Sequence, residues 1–241
     1  MCSVGWQWAS DCAPSEPQLT ILFNRDEQRA RELAIPPTEF ENSERRVLMP
    51  IDPARGGTWI ATNELGLTIA LLNNYRIEPV PERVYESRGR LVKEASSAET
   101  LTEVENILKA LLAQGMYPAF SLLAWMSASR SVRLFAWNEE ELVEPESQSN
   151  FFTSSSWKTK EVQRHRRALY QQEVLEKGRL LEDFMSQPSG DDEKWSVMMT
   201  REKTQTVSRS KIEVFAGYTR FKYTDRATGV ESLRDLKTSV E

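Results

Sequence analysis

Histidine and cysteine are both scarce. The 241-residue sequence has one histidine, His165, and two cysteines, Cys2 and Cys12. Two cysteines make no disulfide framework, and a Cys/His zinc site lacks ligands, so neither metal nor cofactor is expected. A Ser-His-Asp triad or a Cys-His pair would have to use His165. That residue lies in Arg164-His165-Arg166-Arg167, which reads as a solvated helix face, so any enzyme here is expected to use another base. A basic excess is missing too. The formal charge of -5 disfavours a nonspecific hold on phosphate backbones, and no nucleic-acid partner is expected. Long apolar runs are absent. The longest, around Ala119 to Met126, is interrupted by Ser121 and fits a buried strand rather than a stable membrane insertion. The start, Met1-Cys2-Ser3-Val4-Gly5-Trp6, has no basic segment and no apolar one, so no secretory signal is read and the cytoplasm is the expected location. What remains is ordinary: 39% hydrophobic and 28% charged residues exclude a disordered chain. With no convincing linker or repeat, residues 1–241 read as a single domain.

Residues 3 to 8 and 18 to 24 read as a strand pair, joined by the turn residues Asp11, Pro14, Ser15 and Pro17. A polar, proline-containing loop is expected from Gln28 to about Pro53. Strands Thr58 to Ala61 and Leu67 to Leu72 follow, with Asn63-Glu64-Leu65-Gly66 as a hairpin turn. Leu101, Val104, Ile107, Leu108, Leu111 and Leu112 recur at the helical period, predicting a helix from about Ala98 to Ala113. Ser96 with Glu99 suggests its capping box, and Gly115 and Pro118 its stop. Strands return at 120–126 and 132–137, near Leu142, and at 151–153. A charged helix is expected from Thr159 to about Met185, then a polar loop over 186–193, then three or so strands from Trp195 to Tyr223. Strands at both ends with helices between them make the class α+β.

Five segments bear on chemistry. Removal of Met1 would leave Cys2 with a thiol and a free amine of ordinary pKa about 7.7–8.0, so that one residue supplies nucleophile and base; alternatively Cys2 is a packed terminal residue. Along an alternating strand Asn24 and Asp26 share one face and Arg25 takes the other. Asp26 there would orient a terminal ammonium and Asn24 would donate to an oxyanion, or the four polar residues simply begin a loop. Gly56-Gly57-Thr58-Trp59 suits close backbone approach. Asn73 and Asn74 follow an apolar strand, as polar groups at a site mouth often do, and Arg76 suits a carboxylate or phosphate; alternatively the segment is a polar loop with a solvated arginine. Ser87-Arg88-Gly89 reads as helix entry or as an anion-binding turn.

Taken in order, Cys2, Asn24 to Glu27, Gly56 to Trp59, Asn74 to Arg76 and Ser87 to Gly89 resemble the NRDE family, named for the transport and Golgi organisation protein. The motifs span roughly the first ninety residues, and Trp195 to Ile212 resembles the family's later strands more loosely. The resemblance implies kinship with the cysteine branch of the N-terminal-nucleophile hydrolases, such as penicillin V acylase, bile salt hydrolase and acid ceramidase. It therefore implies a four-layer αββα sandwich. By that resemblance Cys2 matches the nucleophile, Asp26 the acid that orients the amine, and Asn73 or Asn74 the oxyanion site. The sequence departs from the hydrolases in two places. Phe23 stands where they carry an arginine three residues before the aspartate, and Thr153-Ser154-Ser155 falls where they offer an asparagine.

Two functions stay open. One is an N-terminal-cysteine amidohydrolase acting on a linear, non-peptide C–N bond. The other, implied by the resemblance through its relatives' links to haem, lipid and acyl-coenzyme A metabolism, is a non-catalytic carrier or binding protein on the same fold, with Arg25, Arg76 and Arg88 as anchors and Glu27, Trp59, Tyr75 and Ser87 beside them. Either way the expected partner is a small-molecule ligand or amide substrate.

Overall fold

The computed structural model describes residues 2–10, 13, 15–146, 149–188 and 192–239. Met1, Asp11, Cys12 and Pro14 lie outside these, as does part of the polar loop expected over 186–193. In chain order the strands are β1 (Cys2–Trp8), β2 (Leu19–Gln28), β3 (Ile35–Asn42), β4 (Arg45–Ile51), β5 (Ile60–Asn63), β6 (Leu67–Asn73), β7 (Phe120–Met126), β8 (Ser131–Trp137) and β9 (Leu142–Val143). After these come β10 (Phe151–Ser154), β11 (Thr204–Val214), β12 (Tyr218–Asp225) and β13 (Glu231–Lys237). The helices are α1 (Arg88–Ala95), α2 (Leu101–Gln114), α3 (Thr159–Tyr170) and α4 (Leu181–Ser186), with a π-helical turn over Gln171–Glu176.

Two antiparallel sheets hold these strands, one in the order β10-β1-β2-β11-β12-β13 and the other running β3 to β9 in sequence. Period-two alternation sends Val4, Trp6, Ile21, Phe23, Ile212 and Val214 inward against Leu72, Leu123 and Trp125 of the second sheet. Trp6 and Trp125 meet edge to face with ring centroids 5.3 Å apart. Every residue of β7 is buried, because the strand is covered on both faces. Leu123 and Trp125 enter the inter-sheet core, while Phe120, Leu122 and Ala124 pack under α1 and α2. On the outer face of the first sheet, Leu22 and Phe151 pack against Tyr170, Leu181, Phe184 and Met185 of α3 and α4. Helix, sheet, sheet, helix is the αββα sandwich that the motifs implied.

The segment read as a loop from Gln28 to Pro53 is instead the hairpin β3–β4, turning through Ser43 and Glu44 at φ 50° and 68°. Pro36 and Pro37 hid it; β3 is an edge strand, where missing N–H donors are tolerated, and its register shifts between Ile35 and Thr38. The long helix from Thr159 breaks after the π-helical turn at Gly178, whose φ of +69° a helix cannot accept. The cap of α2 is Thr100, whose hydroxyl accepts the Glu103 N–H at 3.1 Å, and not Ser96, which ends α1. The last three strands lie later than expected, running from Thr204 to Lys237, and Trp195 to Lys203 carries no strand.

Candidate functional site

Cys2 opens β1 and is flanked on both sides, with Arg25 of β2 and Ser154 of β10 as its cross-strand partners. Its main-chain N–H donates to Ser154 Oγ at 3.1 Å. The thiol is buried, 7% of the residue being exposed, and burial pushes its pKa up. The nearby Asp26 charge adds to that rise, while Arg25 and a hydrogen bond from the Asp26 main-chain N–H oppose it.

β2 runs on to Gln28, so the polar motif sits inside the strand and not at its end. Arg25 faces the second sheet, its guanidinium 4.0 Å over the Trp59 ring. Asn24 and Asp26 face the α3–α4 layer. A bulge in β11 between Thr206 and Ser208 lies opposite Asp26 and Arg25. There the Thr206 hydroxyl donates to Asp26 Oδ1 at 2.7 Å. Arg166 of α3, fully buried, approaches Asp26 Oδ2 at 3.5 Å and donates to Ser3 Oγ, Thr153 Oγ1 and the Trp195 carbonyl, each at 3.1 Å. Burial raises the Asp26 carboxyl above the ordinary range, with Arg166 the main opposing influence. Arg201, also near this pair, is brought down to about 10 by burial and by the like charge of Arg166.

Above Cys2 lies a cavity of about 300 Å³. One wall carries Arg25 and Arg31, both paired with Asp52 and with Glu27 nearby. The opposite wall is the start of α1. A Cβ on Gly57 would come 2.8 Å from the Gly89 carbonyl carbon, and one on Gly89 would come 2.9 Å from Thr58 N. The two glycines therefore allow the backbones to cross in contact, tied by Thr58 N–H to Gly89 O at 3.2 Å. That crossing brings Ser87 and Arg88 to the cavity edge. Burial lowers the pKa of Arg88, which donates to the Ala119 carbonyl at 2.9 Å.

Of the residues singled out in the sequence, Cys2, Arg25, Asp26, Glu27, Trp59, Asn73, Ser87 and Arg88 line this cavity. Asn24 does not: its amide is donated to the carbonyls of Met185 and Val197 at 2.8 and 3.0 Å, on the far face of the sheet. That geometry leaves it no oxyanion role. Asn74 turns its Oδ1 onto the Arg76 N–H, and Arg76 holds Gln163 of α3 at 2.7 Å. Tyr75 accepts a hydrogen bond from Asn73 at 2.9 Å and stands behind it. Sequence reasoning missed Asp52, Arg31, Thr206 and, above all, Arg166, read as part of a solvated face. Its helical spacing from the buried Val162 and Tyr170 is the signal that marks it as inward-facing. Arg166 gives Asp26 the guanidinium that Phe23 cannot.

The fold is shared with known hydrolases. A cysteine-to-alanine variant of the conjugated bile acid hydrolase from Clostridium perfringens matches with a TM-score of 0.55 at 10% identity, over 100% of this chain and 97% of that one. An arginine-to-leucine variant of the same enzyme matches with a TM-score of 0.51 at 12% identity, over 100% and 99%. No curated protein matches the sequence. The family model described as Transport and Golgi organisation 2 matches residues 1–228, and the chain belongs to that family.

Proposed function

We propose that this protein is an N-terminal-cysteine amidohydrolase acting on a linear, non-peptide C–N bond of a small molecule. One observation carries the reading: a cysteine at position 2 on the floor of a cavity, its main-chain nitrogen held by Ser154 and the Asp26–Arg166 pair beside it. The kinship in fold with bile acid hydrolases supports it. With Met1 removed, the Cys2 amine takes the thiol proton and the sulfur attacks the amide carbonyl. Asn73 has a second amide proton to offer the oxyanion. The ammonium returns its proton to the leaving nitrogen, the C–N bond breaks, and an amine departs from the thioester. Water, deprotonated by the same amine, then attacks the thioester. The C–S bond breaks, the thiol is restored, and a carboxylic acid leaves. Asp26, oriented by Arg166 and Thr206, steadies the ammonium in both halves.

The test begins with intact mass, to establish that Met1 is absent, followed by an amide screen. Hydrolysis is expected from the processed protein and from neither Cys2→Ser nor a form that keeps Met1. Activity surviving Cys2→Ser sinks the mechanism. The burial that disfavours the thiolate supports the second reading, a binding protein, for which Cys2→Ser leaves ligand affinity unchanged.

A further inference from the structure

The cavity is lined by the carboxylates of Glu27, Asp52 and Glu86 and by the guanidiniums of Arg25, Arg31, Arg55 and Arg88, while Asp26 borders it with its carboxylate turned to the other face of the sheet. They do not all pair with one another. Asp26 is matched by Arg166. Glu27 and Asp52 are matched by Arg25 and Arg31. Glu86 is matched by Arg90, which lies outside the cavity. Arg55 and Arg88 are left, with no ion pair among the described residues. Arg88 is the informative one. It is half-buried, and its one hydrogen bond among the described residues takes a single donor of five to Ala119 O. A guanidinium withdrawn from water with its fork unspent is stable beside an anion and costly without one. The start of α1 adds to the field: the helix has no acidic residue in its first turn, and Ser87 makes no side-chain cap.

We infer that Arg88, aided by Arg55 at the rim, forms an anion subsite in the Cys2 cavity, so that the substrate is an amide bearing a carboxylate or phosphate near its scissile bond. This rests on the hydrolase reading for the word substrate, but the subsite is tested by binding alone. An anion held here faces the Arg25–Asp52–Arg31 wall, while Trp59, Leu71 and Pro118 leave an apolar strip for the rest of the molecule. A volume of about 300 Å³ suits a ligand at the small end of the range seen in binding pockets.

The experiment uses Cys2→Ala protein, which cannot cleave, and calorimetric titration with three probes. These are N-phenylacetylglycine, N-phenylacetyl-O-phosphoethanolamine and the neutral N-phenylacetylethanolamine. At least one acid is expected to bind roughly tenfold or more tighter than the neutral amide. Which acid is preferred separates carboxylate from phosphate. Arg88→Met is expected to remove most of the preference and Arg55→Ala part of it. If Arg88→Met does not fold, Arg88→Lys keeps the charge without the fork and is expected to weaken the preferred acid alone. Equal binding of all three probes, no saturation by either acid at millimolar concentration, or a preference that survives loss of the Arg88 fork overturns the subsite. Turnover by unmodified protein is scored apart. A kept preference without cleavage removes the hydrolase reading only, and cleavage confined to the neutral amide removes the subsite only.

Discussion

Replacing Arg166 by methionine probes the arrangement behind Cys2 most directly. Arg166 and Asp26 are both inaccessible to solvent and 3.5 Å apart. At an effective dielectric of about 20 their attraction is about 5 kcal/mol. That is not the net worth of the pair, since both charges were desolvated to form it, but it approximates what Asp26 loses when its partner goes. Breaking a buried pair costs about 3–5 kcal/mol, because the survivor is a buried charge without compensation. Thr206 still donates to Asp26, which favours the lower end. For a chain of this size the melting temperature should drop by roughly 6–20 °C. The pH dependence has a definite sign. Burial already raises the Asp26 pKa above its unfolded value, and losing Arg166 raises it further. Asp26 in the variant therefore contributes most below its unfolded pKa, and that contribution is lost as pH rises through the raised folded value. Arg166→Met should be closer to parental stability near pH 4 than at pH 7. Adding Asp26→Asn should recover much of the loss at pH 7 and flatten the profile. Urea unfolding of the single and double variants across pH completes the cycle. A loss below about 1 kcal/mol at pH 7, or a double variant no more stable than Arg166→Met, refutes the account.

Three further outcomes follow from the packing and the site. Trp125→Ala, which removes the edge-to-face partner of Trp6, should cost about 3–5 kcal/mol in chemical unfolding, and a change near zero would mean the inter-sheet core is not packed there. Gly89→Ala places a methyl against the Thr58 backbone and should destabilise by about 1–3 kcal/mol, whereas Arg90→Ala on the exposed side should shift a thermal melt by little; equal effects would contradict the close crossing. In protein that keeps Met1, alkylation of Cys2 by iodoacetamide at pH 7, followed by peptide mass spectrometry, should run roughly tenfold or more slower than for an exposed cysteine and speed up at higher pH; rapid labelling of that form at pH 7 would show a thiolate that the burial does not allow.

Much of the cavity was legible because its residues sit in contiguous motifs: Arg25 to Glu27, Gly57 to Trp59 and Ser87 to Gly89. Alternation along one strand suffices to separate Arg25 from Asn24 and Asp26. What stayed hidden was contributed from a distance. Arg166 lies 140 residues from Asp26 and Thr206 lies 180, and no local pattern reports a tertiary ion pair. A run of basic residues looks solvated until the helix carrying it is seen to bury one of them. Asn24 failed for the opposite reason, since the motif marks it while its neighbours Met185 and Val197 decide what its amide does. The hairpin β3–β4 was masked by composition: prolines and charges that forbid a central strand are permitted at a sheet edge.

The partners of β1 arrive at very different times on the ribosome. β2 begins at Leu19, soon after β1 ends at Trp8, but Ser154, which receives the Cys2 N–H, is 152 residues away. β11, which completes the far side of β2, comes later still. At about 5–20 residues per second, roughly 8–30 s separate the birth of Cys2 from that of Ser154. Through that interval the thiol has no finished sheet around it. Oxidants and alkylating reagents have access to it then. The nascent chain, rather than the folded protein, is where this buried thiol is most open to chemical modification.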